Sequence, residues 1–130
     1  MSFDESDEPA SVAKLVVWQK SRALVQEIYE LTRGFAYRDL PLADQMRRSA
    51  ISVPSNLAEG NGRASPKDAL QFFYVARGSL SELQTQIILT MDLGYISSEK
   101  YQQVMSLTEE TGRLLGGLIR HRRKNTEQKG

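Results

Sequence analysis

Residues 42–62, LADQMRRSAISVPSNLAEGNG, decide how the chain folds. Leu42, Met46, Ala50, Val53 and Leu57 recur at steps of four, four, three and four, the period of one face of an α-helix and not the alternation of a strand. Pro54 stands inside that run, where it deletes a backbone donor and crowds the carbonyl four residues back. The apolar stripe crosses the proline in phase, so we expect one kinked helix and not two pieces broken near Ser52. Gly60 and Gly62 are placed to end it in the left-handed conformation.

The same period extends on both sides. Upstream, a helix is predicted from about Ala13 to Arg33, with Val17, Ser21, Leu24, Ile28 and Leu31 on one seam, Trp18, Val25 and Tyr29 beside it, and Gly34 as its stop. The loop FAYRD, residues 35–39, joins the two. Downstream, Ser65 can cap a third helix, Pro66 fits its first position, and Asp68 adds negative charge at the positive end of the macrodipole. Leu70, Phe73, Ala76, Leu80, Leu83, Ile87 and Met91 form its inner face, and Gly94 followed by Tyr95 and Ile96 reads as a Schellman-type stop.

Ser97 or Ser98 can cap a fourth helix, with Glu99 in its first turn and Val104, Leu107, Thr111, Leu114, Leu115 and Leu118 facing inward. Gly112, Gly116 and Gly117 inside that helix suggest that another backbone passes close by. Short connections between long helices make neighbours antiparallel. The expected fold is therefore all-α, an antiparallel up-down-up-down four-helix bundle over residues 12–124. Residues 1–11 are expected to form a disordered acidic lead, and residues 125–130 a flexible tail.

Composition narrows the chemistry. A chain of 130 residues suits one domain with a core of its own. Cysteine is absent, which removes disulfides, thiolate nucleophiles and zinc–thiolate clusters, and His121 is the single histidine. No stretch approaches the roughly 20 apolar residues a membrane helix needs, and the opening MSFDESDEPA is acidic where a secretory signal is basic, so a cytoplasmic protein is expected. The net charge is +1, but the first ten residues hold Asp4, Glu5, Asp7 and Glu8 and no base, which leaves the remainder near +5.

Two surfaces stand out. Gln45, Arg48, Ser52, Asn56 and Glu59 make a polar stripe on the second helix, answered by Ser79, Glu82 and Gln86 on the third. Turned inward or into a subunit contact, the stripe would pair Arg48 with Glu82 or Glu59 and fix register; turned outward, it is the solvated side of an amphipathic helix. Arg120, Arg122, Arg123 and Lys124 follow the last apolar turn, either as phosphate contacts or as cations that complement a helix C-terminus. Arg63 and Lys67, expected at the opposite corner, are a second basic candidate. Phe72, Phe73 and Tyr74 are consecutive and cannot all face one core, so at least one should meet solvent or another subunit.

An enzyme is not expected. The stripe's serine has no histidine or lysine near it in sequence to act as base, and Glu109 and Glu110 are adjacent and point to different faces. The run GNGR lacks the lysine and the preceding strand of a phosphate loop. Neither a cofactor nor a metal site is expected.

The runs QMRRSAISVPSNLAEGNGR at 45–63 and ARGSLSELQTQI at 76–87, with LVVWQKSRALVQEIYELT and LGYIS, resemble the four-helix-bundle family encoded by intervening sequences of bacterial large-subunit ribosomal RNA genes. The resemblance spans about residues 13–120. It implies ring-shaped homopentamers of up-down bundles and no enzymatic activity. A related branch, the accessory proteins of diversity-generating retroelements, implies nucleic acid and a reverse transcriptase as partners. The matching positions are Gln45, Arg47, Arg48, Ser52, Pro54, Asn56, Glu59, Gly60, Gly62 and Arg63, then Gly78, Ser79, Glu82 and Leu83. Phe35-Ala36-Tyr37 replaces the family's common Phe-Pro turn. The function expected is a homo-oligomeric scaffold that binds structured RNA or DNA through a summed basic surface; the alternative is an adaptor that recruits a polymerase or reverse transcriptase.

Overall fold

The computed structural model describes residues 12–129. The acidic lead expected over residues 1–11 lies outside the described residues, as does Gly130. A short 3-10 turn, Val12–Lys14, precedes α1 (Val16–Thr32); a second, Tyr37–Asp39, leads into α2 (Leu40–Asn61). Then come α3 (Pro66–Asp92) and α4 (Ser98–Lys129), with no strand among the described residues.

The helix boundaries follow from local chemistry. The Ser65 hydroxyl accepts from the Asp68 amide at 3.4 Å, and Pro66 opens α3 behind it. The Ser97 hydroxyl takes the Lys100 amide at 3.1 Å, which makes Ser97 the cap of α4. Gly94 closes α3 at φ 80°, with Tyr95 N–H on the Thr90 carbonyl and Gly94 N–H on the Met91 carbonyl, the Schellman pair expected. Pro54 leaves α2 continuous. Its carbonyl takes the Trp18 indole N–H at 3.2 Å and ties α1 to α2.

Two glycine expectations fail. Gly60 lies within α2 and Gly62 ends it at φ −82°, so neither is left-handed. In α4, a Cβ on Gly112 would meet nothing within 4 Å, and on Gly116 or Gly117 it would meet only the Arg120 guanidinium, at 3.4 and 3.7 Å. No backbone crowds that helix. The close approach is at Gly60 instead, where a Cβ would fall 2.5 Å from Cε1 of Phe73 and 3.0 Å from the Ala69 carbonyl oxygen. There α2 and α3 converge as they enter their turn, and only a missing side chain leaves room for the ring.

The bonds between helices set the topology. Arg47 near the start of α2 donates to Thr32 at the end of α1 (2.9 Å), Ser79 meets Ser52, Thr90 lies against Met46, and Lys20–Glu110 and Lys100–Glu27 tie α1 to α4. Every pair runs antiparallel, and each helix touches the next with α4 closing on α1. The bundle is up-down-up-down.

The core lies largely on the expected seams, with Ile119 added to them and Leu42, Leu107, Leu114 and Leu118, expected inward, only partly buried against it. Val17, Leu24, Ile28 and Leu31 from α1, Met46, Ala50, Val53 and Leu57 from α2, Phe73, Leu80, Leu83 and Ile87 from α3, and Val104, Leu115 and Ile119 from α4 form one cluster. Each large side chain so buried contributes about 1.5–3 kcal/mol. Polar residues enter this core as well. Thr32, Thr90, Thr108 and Thr111 return their hydroxyls to carbonyls four residues back, at 2.7–2.9 Å, and so satisfy themselves.

The loop between α1 and α2 is pinned by Tyr95. Its ring stacks on Phe35 with centroids 4.1 Å apart, its oxygen accepts the Ala36 amide at 3.1 Å, and its hydroxyl donates to Asp39. The Tyr95 hydroxyl above all, then Arg38, holds the Asp39 carboxyl below its ordinary value of 3.8, against the opposing effect of desolvation. A depressed acid contributes stability that is fully present above its unfolded pKa and is lost as pH falls through its folded one. Urea midpoints should therefore separate the native chain from Tyr95→Phe more widely at about pH 6 than at about pH 2.5, where only the loss of the Ala36 amide's acceptor remains. An equal gap at both pH values would remove Asp39 from the account.

Candidate nucleic-acid interface

An up-down-up-down path returns the α2–α3 turn and the C-terminal part of α4 to the same end of the bundle. Arg63 and Arg122 are therefore neighbours, and the expectation that Arg63 and Lys67 occupy the opposite corner is corrected by the topology itself. Arg122 donates to the Asn61 side-chain oxygen at 3.3 Å and lies 5.4 Å over the Phe73 ring. Arg63 sits 4.5 Å over Phe72 and pairs with Glu59 at 3.3 Å. Arg123 donates to the Tyr74 hydroxyl at 3.0 Å and lies 5.4 Å from its ring, while Arg77 approaches the same ring at 5.1 Å.

The consecutive aromatics thus divide their work. Phe73 is fully buried, and Phe72 and Tyr74, half-buried, carry guanidinium groups on their faces. Each such contact is worth about 0.5–1 kcal/mol at an exposed site, and here it also orders an arginine that would otherwise be a loose chain. Arg120, Arg123, Lys124 and Lys67 are exposed around them. The acids among the described side chains nearby are Glu59, already on Arg63, and Asp68 in the first turn of α3. The end of the bundle is therefore a cationic surface of preset guanidinium forks, suited to phosphate oxygens.

The polar stripes of α2 and α3 also meet. Gln45, Arg48, Ser49, Ser52, Ser79 and Glu82 line one shallow groove of about 220 Å³. Ser79 donates to Ser52 at 2.7 Å, and Asn56 donates to the Ser52 carbonyl and hydroxyl at 2.8 and 3.0 Å. Arg48 and Glu82 stand exposed on its rim, and among the described residues Arg48 forms no ion pair with Glu82 or Glu59. Gln86, one turn beyond Glu82, is buried with its side-chain oxygen unsatisfied. The spacing missed Arg47, whose Nε reaches Thr32 and whose guanidinium lies 4.8 Å over Tyr29. Its place on the flank toward α1 was the available signal. Among the described residues no cluster of His, Asp or Glu could hold a metal ion.

The family model described as 23S rRNA-intervening sequence protein matches residues 13–117. The chain belongs to that family. The family match covers Arg63, Lys67 and Arg77 and ends before Arg120, so the α4 part of the basic end is argued from this chain alone. A crystal structure from Bacteroides thetaiotaomicron, a protein of unknown function from the S23 ribosomal protein family, is similar in fold. Its TM-score is 0.70 at 23% identity, with 80% of this chain and 98% of that one covered. No curated protein matches. Neither description names an enzymatic activity. No helix among the described residues is long and apolar enough to cross a membrane.

Proposed function

We propose that the chain is a non-enzymatic, cytoplasmic scaffold that assembles into a homopentamer and holds structured RNA through the basic ends of its bundles. The observation that carries the reading is the convergence of Arg63, Arg77, Arg122 and Arg123 on three consecutive aromatics at one end. Copies arranged about a common axis would sum these ends into one field, turning a weak patch into a strong one. The family's description, which ties its members to 23S rRNA intervening sequences, supports ribosomal RNA as the class of ligand. Adaptor function toward a polymerase or reverse transcriptase is the second reading; Ile88, Leu89 and Leu93, exposed together at the end of α3, favour a protein contact there.

Binding to an RNA hairpin should weaken linearly with log salt, by roughly 0.9 per phosphate neutralised on a duplex. Replacing Arg120, Arg122, Arg123 and Lys124 with alanine should flatten that slope by about two or more. A slope unchanged by the substitutions would remove this end from the contact. Light scattering behind a sizing column reads the assembly, and a monomer of 14.7 kDa would end the pentamer.

A further inference from the structure

The face shared by α2 and α3 presents opposite charges that the folded chain leaves unmatched. Arg48 and Glu82 are both exposed on the rims of one groove, yet neither has an ion-pair partner among the described residues. Each charge stands in the middle of an exposed row. On α2 the row is Pro41, Arg48 and Ser55; on α3 it is Val75, Glu82 and Leu89. Successive members are seven residues apart, two helical turns or about 10.5 Å, which keeps each row on one stripe. Beside its one acid the α3 row is apolar, with Val75 52% and Leu89 43% exposed. Gly78 lies one turn from Glu82, and a Cβ there would meet nothing within 4 Å, so a neighbouring surface can approach the backbone closely.

We propose that a second copy of this chain seats on the α2–α3 face, with α2 of one copy antiparallel to α3 of the next and Arg48 paired to Glu82 across the contact. Because α2 and α3 run in opposite directions, two bundles set side by side with parallel axes bring these helices together in that sense. With Arg48 opposite Glu82, Pro41 falls opposite Leu89 and Ser55 opposite Val75, while the exposed Ile51 comes beside Gly78. One register therefore matches the single cation to the single anion and lays apolar side chains on apolar or small ones. The rows also select the orientation. Packing α2 on α2, or α3 on α3, would set like charges against each other, which disfavours both. A contact that uses a different surface on each side is heterologous, the kind that closes into a ring. This rests on the reading of the chain as a homo-oligomer and assigns its contact to named residues.

The test uses the full chain. In sedimentation velocity, Arg48→Glu alone or Glu82→Arg alone should raise the concentration at which the assembly half-dissociates by about tenfold or more. The double reversal should return it to within about threefold of the native value, with helical circular dichroism unchanged throughout. Because cysteine is absent, a cross-link can be placed without disturbing either charge. Ser55→Cys and Val75→Cys, carried by separate chains and co-expressed, should oxidise to a dimer holding one of each, in far higher yield than either chain gives alone. A double reversal that folds but does not restore assembly, or a cross-link no more abundant in the mixture than in either chain alone, overturns the contact. Where the native chain still assembles, that result leaves the oligomer reading standing. A native chain that is monomeric at every concentration overturns both.

Discussion

Phe73→Ala is expected to destabilise the fold by about 3–5 kcal/mol, measured as urea unfolding followed by helical circular dichroism. The ring is fully buried where α2, α3 and α4 meet, so truncation loses its transfer energy and leaves a cavity walled by backbone. The carbonyl of Ala69 and the glycine at 60 cannot collapse into the space without bending two helices. Arg122 loses its platform in the same step. The surviving folded fraction should therefore show a weaker salt response toward RNA, although residue 73 touches no ligand. A loss of under about 1 kcal/mol would mean that the end of the bundle is softer than its packing indicates.

Gly60→Ala is the complementary case, an added methyl in place of a removed ring. The new Cβ would stand 2.5 and 2.9 Å from two carbons of Phe73, and the ring, with no exposed side, has nowhere to move. Overpacking of this kind costs about 1–3 kcal/mol, against roughly 1 kcal/mol that alanine returns to a helix interior, so a net loss of about 2 kcal/mol is expected at the upper end. In the Phe73→Ala background the same substitution should lose most of its cost. Strict additivity of the two changes would show that they do not meet.

The fold was legible because each helix states its buried face in steps of three and four and its ends in caps that need no partner. Ser65, Ser97 and Gly94 act through atoms within a few residues of themselves, and all three do what their local sequence implies. The polar core was not legible. Thr32, Thr90 and Thr108 are polar by type, yet each bonds a carbonyl of its own helix, which satisfies the hydroxyl locally; Thr32 then also accepts from Arg47 and Thr90 lies against Met46, contacts that no local pattern announces. Glycine was misread for a related reason. A sequence records that a side chain is missing, but only the crossing of α2 with α3 says where the absence is needed, at Gly60 and not in α4.

The basic surface lay between these extremes. Arg63 and Arg122 are 59 positions apart, and no local pattern joins them. Once the up-down path is drawn, the turn after α2 and the end of α4 must coincide, so the topology already contained their meeting. What sequence could not supply is the pairing of Arg63 with Phe72 and Arg123 with Tyr74, which depends on side-chain direction around α3.

The indole bond from Trp18 to the Pro54 carbonyl makes α1 and α2 report on their own separation. With one tryptophan in the chain, emission at long wavelength comes from that seam and no other. Fluorescence and far-ultraviolet dichroism therefore observe different portions of the molecule during denaturation. Coincident traces would mark a single cooperative unit, while an earlier optical change at the indole would mark the first helix lifting away ahead of the other three.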